Sequence, residues 1–143
     1  MYLVIRYIHF TAIILLASML IAENIFFTPK LSSKELRKLV VIDGIYGACA
    51  IITLVAGGLL WLSGSKPASF YSSNPIFHAK LGLFVLVALL SIAPTAFLLK
   101  NRKTQKSEIA VPNYLLVIVK VEVSMLFILP FLAVLMAQGY GYS

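Results

Sequence analysis

Long apolar runs broken by short polar stretches dominate the chain. Four of them, Leu3–Phe27, Leu39–Leu62, Ile76–Leu99 and Val111–Ala137, reach the roughly 20 residues a helix needs to cross hydrocarbon. Backbone groups in lipid must be satisfied within the segment, so each run predicts a transmembrane helix. The punctuation between runs supports these limits: Thr28-Pro29 after the first, Ser63-Gly64-Ser65 after the second, Asn74-Pro75 before the third and Gly139 after the fourth. Pro94 and Pro130 fall inside the third and fourth runs, where kinks are expected rather than breaks. Connections of roughly 10–13 residues make consecutive helices antiparallel, and the fold class is all-α, a four-helix up-down membrane bundle in one domain.

Charge adds an orientation. Lys30, Lys34, Arg37 and Lys38 crowd the first connection and Lys100, Arg102, Lys103 and Lys106 the third, whereas the middle one carries only Lys66. The positive-inside rule makes the first and third connections cytoplasmic and leaves both termini and the Ser63–Pro75 loop outside, in the periplasm of a bacterial inner membrane. Trp61, Phe70, Tyr71, Tyr140 and Tyr142 fit an interfacial aromatic belt near that outer boundary. The opening run has no clean small-residue cleavage site and is expected to stay in the protein as a helix.

Composition agrees with a chain immersed in lipid: 61% of residues are hydrophobic and the mean hydropathy is +0.98. The formal net charge of +7 reads as a topology signal and as lipid-headgroup contacts, not as a nucleic-acid surface. Cys49 is the single cysteine, which excludes an intrachain disulfide and a cysteine-built metal centre. No nucleophile elbow, phosphate loop or metalloprotease helix occurs, so hydrolase chemistry has no support. The second helix is rich in small residues, Gly44, Gly47, Ala48, Ala50, Ala56, Gly57 and Gly58, suited to close helix packing, to a flat ligand or to homodimerisation.

Ionisable groups inside apolar runs are costly and become functional candidates. They sort into two layers. The outer layer holds Arg6 and His9 on the first helix and His78 and Lys80 on the third. Two imidazoles from different helices are the minimum for axial ligation of haem b, with Arg6 and Lys80 placed to neutralise propionates. The alternative is that His9 bonds a neighbouring helix while Arg6, His78 and Lys80 reach for headgroups. A two-histidine zinc site, without carboxylate or cysteine nearby, is the weaker metal reading.

The inner layer holds Glu23 on the first helix, Asp43 on the second, and Lys120 and Glu122 on the fourth. Glu23 follows His9 by fourteen residues, which puts the two within about 40° on the helix wheel. One face thus carries both, as a proton path from the cytoplasm to a redox centre or quinone would require. The alternative places Glu23 and Asp43 at the cytoplasmic boundary against basic residues of the first connection. Lys120 and Glu122 point to nearly opposite sides, and Asp43 or Glu23 is the expected partner for Lys120.

The strings Arg6-Tyr7-Ile8-His9-Phe10, Ala22-Glu23, Asp43-Gly44-Ile45-Tyr46-Gly47, Ser73-Asn74-Pro75-Ile76-Phe77-His78-Ala79-Lys80-Leu81 and Ser91-Ile92-Ala93-Pro94-Thr95 resemble, over essentially the whole chain, a bacterial inner-membrane family known as domain of unknown function twenty-two fourteen. That family has an aromatic residue where this chain has His78. More distantly, His9 and His78-Ala79-Lys80-Leu81 resemble the motifs of the four-helix HemJ-type protoporphyrinogen oxidases. Glu108-Ile109-Ala110-Val111-Pro112 matches that family's motif before the fourth helix only in part. Ala22-Glu23-Asn24 stands where that family has an aromatic-Leu-x-Arg stretch. The second resemblance implies a bound haem b with His9 as ligand, Lys80 as an essential site residue, and oxidation of a porphyrinogen.

Two classes of function follow. One is a small haem-bearing oxidoreductase exchanging electrons with a quinone or a porphyrinogen, with Lys80 and Glu23 as candidate catalytic groups. The other is a non-catalytic subunit of a larger membrane complex, or a small-solute carrier, in which the buried charges serve packing or partner binding.

Overall fold

The computed structural model describes residues 2–63, 75–103 and 105–138. Its elements in chain order are α1 (Tyr2–Phe26), β1 (Lys30–Ser32), α2 (Ser33–Ser63), α3 (Pro75–Asn101), β2 (Glu108–Ala110) and α4 (Asn113–Ala137). All four helices are long and apolar enough to cross a membrane. α1 packs along α2 and α3 along α4, and the two hairpins meet through α1 with α4 and α2 with α3. Neighbours in sequence are therefore neighbours around the bundle. Pro94 and Pro130 both lie within continuous helices.

The packing seams follow from residue spacing. α1 buries Ala12, Leu16, Leu20 and Glu23, and α2 buries Leu36, Leu39, Asp43, Tyr46, Cys49, Thr53 and Ala56, steps of three and four that keep one helix face inward. α4 continues the pattern with Leu115, Val119 and Glu122. Most other large apolar side chains are exposed, among them Leu3, Ile14, Leu54, Leu89 and Phe127, as expected where the solvent is lipid.

The first and third connections are not plain loops. Lys30–Ser32 pairs antiparallel with Glu108–Ala110, Leu31 opposite Ile109, and these two apolar side chains are 0% and 6% exposed. Val111 N–H donates to Pro29 O at 2.8 Å and extends the pairing. The strands tie the two hairpins together at this end of the bundle. α2 begins at Ser33, six residues before the apolar run, because Ser32 and Glu35 form a capping box. Glu35 N–H donates to Ser32 Oγ and Ser32 N–H to Glu35 Oε1, each at 3.1 Å.

Burial is uneven along the bundle axis. The α1–α2 hairpin buries residues over most of its length, but among the described side chains α3 buries none before Val87 and α4 none beyond Glu122. The tight core thus sits at the strand end. At the opposite end the ring of Trp61 of α2 packs against that of Phe77 of α3, centroids 5.1 Å apart and planes tilted by 56°. The belt residues Phe70, Tyr71, Tyr140 and Tyr142, together with Lys66, lie outside the described residues.

Candidate functional site: a buried acid layer

Each of the four described helices contributes a polar side chain to one layer in the strand-end half of the bundle. Glu23 and Glu122 are each 1% exposed, and Asp43 is buried with them. They are interior because each stands on its helix's packing seam, in phase with Leu20, Leu39 and Val119 respectively. α3 supplies hydroxyls one turn apart, Ser91 and Thr95, on either side of the fully buried Pro94.

Hydrogen bonds order the layer into two branches. Thr95 Oγ1 donates to Asp43 Oδ2 at 2.7 Å, and the Asp43 and Glu23 carboxyls lie within hydrogen-bonding reach of each other. In the other branch Ser91 Oγ bonds Glu122 Oε1 and lies 2.9 Å from Tyr46 Oη. Ser91 Oγ also lies 2.8 Å from Val87 O. One hydroxyl proton and two lone pairs must serve three oxygens. With Glu122 ionised, Ser91 donates to it and Tyr46 donates to Ser91. With Glu122 protonated, Glu122 donates to Ser91, and Ser91 turns its own proton to Val87 O or Tyr46 Oη.

Among the described residues no basic side chain compensates the acids. The charges that bear on Glu23 are Asp43 and Glu122, both of its own sign. Glu23 Oε2, Asp43 Oδ1 and, further along α2, Thr53 Oγ1 are enclosed and receive no hydrogen bond among the described residues. Three carboxylates in a dry interior would each carry a desolvation cost with no opposite charge to offset it.

Lys120 is the correction to the sequence expectation. It was expected to pair with Asp43 or Glu23, but its side chain is exposed on the outer face of α4. The physical reason is its phase: it precedes the buried Glu122 by two residues, about 200° around the helix. Glu23 and Asp43 likewise do not meet the basic residues of the first connection; they face each other in the core.

The second candidate layer lies toward the Trp61 end. His9 is half-buried, and its Nδ1 stands 3.1 Å from Thr53 O on α2. Its ring occupies the space that Gly57 leaves open: a Cβ at Gly57 would stand 3.1 Å from His9 Cε1. The Lys80 ammonium is close enough to act on the His9 charge. His78 and Arg6 are exposed, Arg6 over the Phe10 ring at 5.6 Å. The structure thus brings His9 and Lys80 into one neighbourhood while His78 and Arg6 stand at the surface.

For a porphyrin, the His9 geometry has one suitable feature. An imidazole whose Nδ1–H is held by a backbone carbonyl offers Nε2 as the ligating atom. Space is the opposing observation: a small, partly open cavity in the bundle, lined by Leu16, Tyr46, Ala50, Phe84, Val87, Ala88 and Leu126, measures about 10 Å³. That is room for about one water, against the roughly 300 Å³ or more of a typical ligand pocket. Among the described residues no three His, Cys, Asp or Glu side chains are grouped to hold a metal ion.

Sequence reasoning located the acids but not their hydroxyl partners. Tyr46 follows Asp43 by three residues, and Thr95 follows Ser91 by four; such spacing keeps each pair on one helix face, and this was the available signal. Neither a curated protein nor a solved structure matches the chain. A family model described as "Predicted membrane protein (DUF2214)" matches residues 1–141, and the chain belongs to that family.

Proposed function

We propose that this protein is a multi-pass protein of the bacterial inner membrane that takes up and releases protons at the Glu23–Asp43–Glu122 layer, in the service of a proton-coupled redox or transport process. The observation that carries the reading is the enclosure of three acids, one from each of α1, α2 and α4, with no basic partner among the described residues. Intramembrane carboxyls faced by hydroxyls are the equipment of proton relays. Under the positive-inside assignment the layer lies in the cytoplasmic half, close to the connections that carry the basic residues.

Infrared difference spectroscopy of the protein in lipid nanodiscs, recorded from mildly acidic to alkaline pH, tests this. Protonated-carboxyl bands that titrate, shift in heavy water and diminish in Glu23→Gln, Asp43→Asn and Glu122→Gln are expected. Absence of a titrating carboxyl band in the parent protein would reject the reading.

A second reading is favoured by the His9–Thr53 bond. In it His9 would be the ligand of a haem b, and Lys80 and Arg6 would supply positive charge to its propionates. Haem bound there would supply one-electron chemistry toward a quinone or a porphyrinogen. The visible spectrum of the purified protein, oxidised and then reduced, checks it. Sharp reduced bands that vanish in His9→Ala support it, and a colourless preparation from haem-replete cells sinks it.

A further inference from the structure

The two branches of the acid layer differ in what they leave unbonded. Glu122 is bonded to Ser91 and, through it, linked to Tyr46. Asp43 accepts from Thr95 with Oδ2, while its Oδ1 and Glu23 Oε2 are enclosed without a bond among the described residues. These two oxygens belong to carboxyls that lie within hydrogen-bonding reach of each other. Glu23 is 1% and Asp43 7% exposed, so bulk water does not complete either group.

The number of protons on the pair decides whether this contact repels or bonds. With both groups ionised, two acceptors face each other with no proton between them, and Glu122, of the same sign, adds to the repulsion. With both protonated, Asp43 carries a proton although each of its oxygens already has a donor at hand, Thr95 for one and Glu23 for the other. With one proton, held by Glu23, Oε2 donates to Asp43 Oδ1 and both orphaned oxygens gain a partner. An O–H donating to a carboxylate is among the strong hydrogen bonds, and carboxyls this close characteristically share one proton. The other titratable groups that bear on the pair are Tyr46 of α2 and Glu122 of α4, and α3 presents the Ser91 and Thr95 hydroxyls.

We propose that Glu23 and Asp43 form a single proton-binding site, an acid–carboxylate pair in which Glu23 holds the proton and Thr95 fixes Asp43 as the acceptor. The inference rests on the acid-layer reading and locates an exchangeable proton within it. Loading forms one O–H bond on Glu23 and takes the pair from two negative charges to one; release breaks that bond and returns the proton to the medium. Thr95 exchanges nothing and is a positioning residue, because its hydrogen bond favours Asp43 as the charged partner.

Asp43 is the only aspartate in the chain, so carbon-13 at the aspartate side-chain carboxyl reports on this residue alone. The test is solid-state NMR of the full chain in lipid, with the label on aspartate in one sample and on the glutamate carboxyls in another, over the pH range of the infrared spectra. The Asp43 signal is expected at the carboxylate position throughout the range in which one glutamate signal, absent from Glu23→Gln, changes from acid to carboxylate. The infrared band belongs to the pair, so Glu23→Gln removes it and Asp43→Asn displaces it. Thr95→Val, which deletes the donor, should move the Asp43 signal toward the acid position, and Thr95→Ser should restore it. Asp43 protonated in the parent protein, no titrating signal that Glu23→Gln removes, or an Asp43 signal that Thr95→Val leaves unmoved would each overturn the pair. The acid-layer reading would then stand as long as carboxyl bands still titrate in the infrared; their absence from the parent protein would remove both.

Discussion

Ser91 carries one hydroxyl proton and contacts three oxygens, Tyr46 Oη, Val87 O and Glu122 Oε1, so its removal strands partners on two other helices. Ser91→Ala should destabilise the fold by about 1–3 kcal/mol, the cost of buried polar groups left unbonded. Glu23→Gln should leave thermal stability in detergent unchanged or raise it by up to about 2 kcal/mol, because it removes a buried acid whose ionised form has no opposite partner. A large loss of stability in Glu23→Gln would mean that a cation, not like-charged acids, faces this residue. The adjacent glycines give a matched pair. Gly57→Ala places a methyl 3.1 Å from His9 Cε1, whereas at Gly58 nothing lies within 4 Å. Gly57→Ala should therefore cost about 1–3 kcal/mol through crowding, and Gly58→Ala should be neutral or mildly stabilising, both read as thermal midpoints. Single charges inside apolar runs are conspicuous in sequence, so Glu23, Asp43, Glu122 and His9 were legible. Their partners were not: a serine or threonine in a membrane helix commonly bonds its own backbone, as Ser18 does to Ile14 O and Ser124 to Lys120 O, and nothing local distinguishes Ser91 or Thr95 from these.

At the scale of elements, the helices were legible because hydrocarbon thickness imposes a length that four runs satisfy. The strands were not, since each has three residues with one buried side chain and gains its identity only by meeting the other. Their pairing matters because it is the covalently independent link between the hairpins at the tightly packed end. Leu31→Ala should cost about 2–5 kcal/mol, the usual range for emptying a fully buried leucine site, and should speed proteolysis within the first connection. Ser32→Ala removes the N-cap of α2 and should cost about 1 kcal/mol, with the effect confined to the α2 start. If Leu31→Ala were as mild as an exposed substitution on α2, such as Val41→Ala, the strand pair would be ornamental, and the hairpins would be held by helix contacts alone.

Across the whole molecule, asymmetry along the axis links architecture to the proposed chemistry. The end closed by β1 and β2 carries the buried acids, Pro94 and the tight core, while the end nearer His9 and Lys80 buries little from α3 and α4. The β1/β2 end is also the basic one, with Lys30, Lys34, Arg37, Lys38, Lys100, Arg102, Lys103 and Lys106 all in or beside the connections that the strands join. In the proposed proton exchange, Glu23, three residues from the end of α1, is an acid reached from that side. Orientation then decides whether the acid layer is loaded from the cytoplasm. The single native cysteine, Cys49, is buried, so labelling needs only a Cys49→Ala background and one new thiol at a time. A membrane-impermeant maleimide applied to intact spheroplasts should modify Ser143→Cys and spare Lys34→Cys and Lys103→Cys, which should react only after the membrane is opened. The reverse pattern would place the acid layer in the periplasmic half, making His9 and Lys80 the groups nearest the cytoplasm, and the direction in which protons load the bundle would be inverted.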